Sequence, residues 1–229
     1  MALINGTPFD DILQGSSDTD YISGFAGFDD LYGFGGNDTL VGGAGDDDIY
    51  GGSGLDWAVF AGGVDEYQVS VFADRIIVGD IAFNGGIDYL VDVERIQFDD
   101  LGTAFDLYGN AGSAARLVGV LFDGPTVYNP AYMRIFIDAF DDGYSAEQIA
   151  AAAIDIVYPT FTNRNIAELI YLNVVDRSGT FSEIAELTSY IDFYGDDVIT
   201  AYVGDLQVNE ANINFSGLLQ TGVDFLPII

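Results

Sequence analysis

Histidine, cysteine and lysine are all missing from this 229-residue chain, so its six basic residues are all arginines. Without histidine, the common zinc and iron sites, histidine-based catalytic triads and the HExxH metalloprotease helix cannot be built. Without cysteine there is no disulfide, and thiol usage says nothing about the compartment. Positive charge is scarce: 37 acidic residues against 6 basic ones give a net charge of −31, which excludes nucleic acid and anionic membrane surfaces as natural partners. No apolar run reaches the roughly 18 residues of a membrane span. The richest stretch, Glu147 to Tyr158, is short and charged. Met1 to Asp11 has neither the basic start nor the apolar core of a secretory signal peptide, so Sec export is not expected. No Gly-x-Ser-x-Gly occurs. Carboxylate pairs suited to glycoside hydrolysis are inevitable among 37 acids and therefore single out nothing. No enzyme is expected.

The residues that are present can still fold, since 49% are hydrophobic and 14% aromatic. A net charge this large opposes compaction unless cations bind. The N-terminal quarter shows where they would bind. From Gly6 the chain reads in nines as GTPFDDILQ, GSSDTDYIS, GFAGFDDLY, GFGGNDTLV, GGAGDDDIY and GGSGLDWAV. Position one is always glycine. Position six is always aspartate: Asp11, Asp20, Asp29, Asp38, Asp47 and Asp56. Position eight is always apolar: Leu13, Ile22, Leu31, Leu40, Ile49 and Ala58.

The spacing predicts a six-residue glycine-dependent turn followed by a three-residue strand with one inward side chain. Two units then make one coil of a parallel β-helix, whose core exists only once the coils stack. Stacking brings the loops of units n and n+2 together. Two position-six carboxylates and loop carbonyls can then surround a cation, and hard oxygen ligands in flexible geometry suit calcium. The candidate carbonyls are those of Gly24, Gly33, Gly42 and Gly51 at position one and of Gly35, Ala44 and Ser53 at position three. Pairing gives up to about four ions, and the later pairs, Asp29 with Asp47 and Asp38 with Asp56, have the most regular loops. Asp46 and Asp48, inside GGAGDDDIYGG, fall at positions the repeat does not reserve for carboxylates and are expected to face solvent.

The G-G-x-G-x-D-x-U-x pattern resembles the RTX nonapeptide repeat, a known calcium-binding β-helix signature. The resemblance implies a β-roll secreted by a type I system, unfolded at low cytosolic calcium and folded outside the cell. Beyond Phe60 the nine-residue period gives way to alternation in YQVSVF from Tyr67, RIIVGDI from Arg75 and YLVDVERIQF from Tyr89, with turn signals at Ala73-Asp74 and Asn84-Gly85-Gly86. This segment is expected to cap the open end of the roll, with Glu94 and Arg95 as a cross-strand ion pair. Gly86 to Asp100 resembles a segment that follows many RTX blocks.

From Asn110 the pattern is helical, with Pro130 opening one helix and Ser145 and Gln148 spaced as a capping box. Further helices are predicted over Asn165 to Val175, Phe181 to Phe193 and Asp196 to Gly204. RLVGVLFDG and IDAFDDG recur as LIYLNVVDR and IDFYGDD, which suggests two related helical units packed on each other. This half resembles a domain of uncharacterised function found after RTX blocks. The apolar tail INFSGLLQTGVDFLPII is compatible with the uncleaved C-terminal secretion signal that the RTX resemblance implies.

The sequence therefore predicts a mixed fold: a β-roll over residues 1–60, a β-strand cap over 61–109 and an α-helical domain over 110–229. Calcium is the expected partner. A secreted, cell-surface protein is expected, either self-associating as an S-layer, filament or biofilm component or acting as a monomeric adhesin for a glycan or surface protein.

Overall fold

A computed structural model describes residues 1–72, 74–82, 85–106, 109–122, 125–175, 177–204 and 223–225. The chain divides into two units, Met1–Phe105 and Asp106–Phe225.

In the first unit one strand precedes the repeats and each of the six nonapeptides then contributes another. These are β1 (Leu3–Asn5), β2 (Ile12–Gln14), β3 (Tyr21–Ala26), β4 (Asp30–Gly35), β5 (Thr39–Ala44), β6 (Asp48–Ser53) and β7 (Trp57–Val59). Odd and even strands stack separately into two parallel sheets, with Ile22 opposite Leu40 and Leu31 opposite Ile49. Four strands are longer than the three residues expected. β3 to β6 run on into the next loop, where Phe25 pairs with Gly43 and Phe34 with Gly52.

Position eight forms the core. Ile22, Leu31, Leu40, Ile49 and Ala58 are fully buried one above the other, and only Leu13, near the open first coil, is half-exposed. Burying each such aliphatic side chain contributes about 1.5–3 kcal/mol, and it can do so only with a neighbouring coil in place.

The next segment adds β8 (Tyr67–Val71), β9 (Ile76–Asp80), β10 (Ile87–Val91), β11 (Arg95–Gln97) and β12 (Gly102–Ala104). Part of it caps the roll as expected. The hairpin β8–β9 closes one sheet antiparallel, in the order β2-β4-β6-β10-β9-β8, and β12 lies antiparallel to β11 in the other. YLVDVERIQF is not one strand. Asp92, at φ 52, turns a corner there, so β10 continues on β6 in one sheet and β11 on β7 in the other, both parallel. Leu90 falls opposite Ile49 and Ile96 opposite Ala58, and both join the buried stack. The solenoid therefore resumes for one more coil after the β8–β9 insertion.

The second unit contains α1 (Asn110–Leu121), α2 (Pro130–Asp141), α3 (Ala146–Val157), α4 (Asn163–Val175), α5 (Phe181–Tyr194) and α6 (Asp196–Gly204), with a short strand, β13 (Val223–Phe225). Local chemistry sets these boundaries. Pro130 begins α2 after Asn129, whose side chain accepts from the Ala131 N–H, and Gly143 ends that segment at φ 87. Ser145 and Gln148 form the predicted capping box on α3, and Thr180 and Glu183 form another on α5. Replacing Ser145 by Ala is expected to cost about 1 kcal/mol, read as a lower melting temperature of the helical unit with the roll unaffected.

The recurring sequence segments fall on α1 and α4 and on the loops ending α2 and α5. α1 packs on α2 as α4 packs on α5, and α1 also packs on α4. Asn173 on α4 is buried and donates to the Val120 carbonyl of α1 at 2.8 Å. The apolar tail expected to serve in secretion lies outside the described residues except for Val223–Phe225.

Candidate metal centre

Each position-six aspartate sits on the coil edge just before its strand, in the same place in every coil. Asp20, Asp29, Asp38, Asp47 and Asp56 are all buried, at 0–1% exposure. Burying five carboxylates in one edge is costly unless each is hydrogen-bonded or charge-compensated.

Half of each carboxylate is accounted for. Asp20 Oδ1 accepts the Ala2 N–H, and in the other four Oδ1 reaches back to the preceding coil and accepts the N–H of the aspartate two units earlier. Asp11 N–H donates to Asp29 at 2.8 Å, Asp20 to Asp38 at 2.7 Å, Asp29 to Asp47 at 2.9 Å and Asp38 to Asp56 at 2.8 Å. These bonds form two ladders that bring together the carboxylates expected to pair.

The other oxygen divides the repeats into two groups. In units one and two the protein itself satisfies it. Asp11 Oδ2 accepts from the Thr7 N–H (2.6 Å) and hydroxyl (2.8 Å), and Asp20 Oδ2 accepts from the Ser16 N–H and hydroxyl, both at 2.8 Å. In units three to six, position two is left-handed: Phe25 at φ 77, Phe34 at 72, Gly43 at 117 and Gly52 at 104. Asp29, Asp38, Asp47 and Asp56 each keep a buried Oδ2 with no hydrogen-bond partner.

The electrostatics follow. Burial pushes Asp29 and Asp38 above the ordinary carboxylate range and pushes Asp47 and Asp56 up to about 6. The neighbouring aspartates add to the shift. Asp20 goes the other way, held below its usual value by the Ala2 N–H and then the Ser16 hydroxyl.

The orphaned oxygens face a cradle. A Cβ placed on Gly24 would lie 2.2 Å from Asp29 Oδ2 and 2.7 Å from the Gly42 carbonyl. On Gly33 it would meet Asp38 Oδ2 at 2.4 Å and the Gly51 carbonyl at 2.5 Å. The position-one glycine thus leaves room where a carboxylate of one coil and a carbonyl of the next converge. Among the described residues no three acidic side chains gather closely enough to hold a metal, so a bound cation would have to take carbonyl ligands as well. A buried anionic oxygen beside a carbonyl fits a hard divalent cation such as calcium, and the residues pass that test.

The position-three carbonyls are placed differently. Those of Ala44 and Ser53 accept the N–H groups of Gly27 and Gly36, each at 3.0 Å, and Gly35 is buried opposite Ser53. Asp46 is exposed as expected but is not a bystander: its Oδ1 accepts the Ile87 N–H at 2.8 Å, as Asp10 does for Phe28 and Asn37 for Leu55. Asp48 is half-buried in β6.

Two acids outside the nonapeptides join the ladders. Asp88 Oδ1 accepts the Asp47 N–H and Glu94 Oε2 the Asp56 N–H, each at 2.9 Å. Burial pushes Asp88 up to about 8. Glu94, expected only as half of an ion pair, thus also takes a position-six place, while its neighbour Arg95 is fully buried and donates to the Glu94 carbonyl. The sequence signal was present but truncated: Gly86, Asp88 and Leu90 keep the spacing of positions four, six and eight.

A two-sheet parallel solenoid edged by aspartate ladders and glycine cradles defines a class of calcium-type β-rolls. The family model for the RTX calcium-binding nonapeptide repeat matches residues 5–33, 23–58 and 32–66, so this part of the chain consists of RTX repeats. Two solved structures are similar to part of it. One is the extracellular lipase LipA from Serratia marcescens, at 22% identity, 41% of this chain, 13% of that one and a TM-score of 0.23. The other is the AlgE6R3 subunit of the Azotobacter vinelandii mannuronan C5-epimerase, at 25% identity, 38% of this chain, 72% of that one and a TM-score of 0.25. A search of curated proteins finds no match.

Proposed function

We propose that this protein is a secreted calcium-dependent structural component whose RTX roll folds on extracellular calcium and whose folded form self-associates at a cell surface or in a matrix. The observation that carries the calcium reading is the set of four buried, unpartnered carboxylate oxygens at Asp29, Asp38, Asp47 and Asp56. Calcium, when bound, supplies the positive charge that these oxygens lack. Asp29 with the Gly42 carbonyl and Asp38 with the Gly51 carbonyl are the proposed ligands within the repeats. Asp47 and Asp56 continue the two ladders toward Asp88 and Glu94.

Without calcium the same residues repel one another, and an unfolded chain suits passage through a type I secretion channel. RTX repeats are typical of secreted proteins, and no helix among the described residues is long and apolar enough to cross a membrane. We assign no catalysis: the chain has no histidine and no Gly-x-Ser-x-Gly, and its conspicuous acids are absorbed by the ladders.

Exposed apolar groups support the assembly reading. Phe25, Phe28 and Phe34 stand out from the roll at 52–63% exposure. The helical unit carries an apolar groove of about 550 Å³ lined by residues of α2 and α3, among them Tyr132, Ile135 and Ile156. The same groove favours a second reading, a monomeric adhesin whose helical unit holds a partner. Sedimentation with and without millimolar calcium separates the two. Assembly predicts a mass that rises with calcium, whereas a monomer at high protein and calcium concentration rejects it in favour of the adhesin.

A further inference from the structure

The four orphaned oxygens do not coincide with the four aspartate pairs that the nonapeptides offer. Equal repeats would pair Asp11 with Asp29, Asp20 with Asp38, Asp29 with Asp47 and Asp38 with Asp56. Yet the Oδ2 of Asp11 and both oxygens of Asp20 are already engaged by protein donors, while the Oδ2 of Asp47 and of Asp56, the last in the block, is not. The open oxygens lie one coil further along than the sequence motif.

That further coil exists. β10 and β11 stack in register on β6 and β7. Gly86, at φ 98, repeats the close approach of a position-four glycine: a Cβ there would lie 2.1 Å from the Gly45 carbonyl, as one on Gly45 would lie 1.8 Å from that of Gly27. The Gly85 carbonyl accepts the Gly45 N–H at 2.8 Å, in the place where that of Ala44 accepts the Gly27 N–H. Asp88 and Glu94 then occupy position six. At the second corner the loop is short, and the Asp92 carbonyl takes the place of a position-one carbonyl. A Cβ on Gly51 would meet it at 2.1 Å and Asp56 Oδ2 at 2.8 Å.

We propose that residues 85–97, which lack the nonapeptide motif, form a concealed repeat coil that completes two calcium sites. One is built from Asp47 and Asp88, the other from Asp56, the Asp92 carbonyl and Glu94. Units one and two instead form a self-satisfied starting coil, in which Thr7 and Ser16 take the place of the cation. The inference rests on the calcium reading, and it makes the last coil a calcium-dependent closure of the roll rather than an inert cap.

The test compares calcium stoichiometry by isothermal titration in wild type, Asp88→Asn and Asp11→Asn. The amide oxygen introduced by D88N keeps an acceptor for the Asp47 N–H, so the variant removes charge with little change of shape. The expected result is one ion fewer for D88N and the wild-type count for D11N. A wild-type count for D88N together with a loss for D11N overturns the proposal and leaves the calcium reading standing. A wild-type chain that binds no calcium defeats both. Should D88N fail to fold, crystals of the wild type grown in calcium decide. Anomalous peaks beside Asp88 and beside Asp92 are expected, and peaks confined to the cradles at Gly24 and Gly33 and their counterparts at Gly6 and Gly15, where an added Cβ would meet the Gly24 and Gly33 carbonyls at 2.7 and 2.8 Å, overturn it.

Discussion

In EDTA at pH 8, the roll, residues 1–105, is expected to unfold while the helical unit keeps its far-ultraviolet circular dichroism. Lowering the pH to 5 without calcium is expected to restore part of the roll. The sign follows from the carboxylates. Burial raises Asp47 and Asp56 to about 6 and Asp88 to about 8, from 3.8 in the unfolded chain. Between pH 4 and 8 the folded state therefore binds more protons than the unfolded state, and stability falls as pH rises through that window. Asp20, held low, contributes in the opposite sense, but its stabilisation is lost only below about pH 4 and does not cancel the effect. Protons and calcium compete for the same oxygens, so the gain in melting temperature from calcium is expected to be larger at pH 8 than at pH 5. A chelated protein with the same melting curve at both pH values would contradict this.

Gly45→Ala is expected to be among the most damaging substitutions in the roll, costing about 3 kcal/mol or more even in saturating calcium. Gly45 sits at φ 132, which side chains avoid, and its added Cβ would lie 1.8 Å from the Gly27 carbonyl of the coil below. That contact is backbone on both sides, so relief requires moving a coil and breaking the Gly27 N–H bond to the Ala44 carbonyl. Gly143→Ala is the matched comparison. It also has a positive φ, 87, but nothing lies within 4 Å of the added carbon. Only the left-handed backbone penalty of about 1 kcal/mol is expected there. Thermal melts of the two variants check the contrast, and equal losses would mean that coil-to-coil contact is not what position four protects.

The period of nine was enough to place the strands, the buried stack from Ile22 to Ala58 and the aspartate ladders, because each depends on residues at fixed spacing. Helix ends were equally legible, since Pro130 and the Ser145–Gln148 box act locally. The continuation of the roll was hidden. A 27-residue gap separates Val59 from Ile87, and only stacking shows that β10 resumes where β7 left off. Nor did spacing separate the aspartates into two groups. That distinction lies in the backbone at position two, where Thr7 and Ser16 donate to the carboxylate and the left-handed Phe25, Phe34, Gly43 and Gly52 do not. Phe25 and Phe34 concealed the likeness further, since phenylalanine rarely adopts a positive φ.

The most direct measurement is a calorimetric titration of the chelated chain with calcium at pH 8, followed in parallel by circular dichroism. Several ions should bind per chain, with dissociation constants of about 10⁻⁴ to 10⁻³ M, and β-structure should appear over the same range. A chain that shows full β-structure in EDTA and takes up no calcium at millimolar concentration would contradict the account.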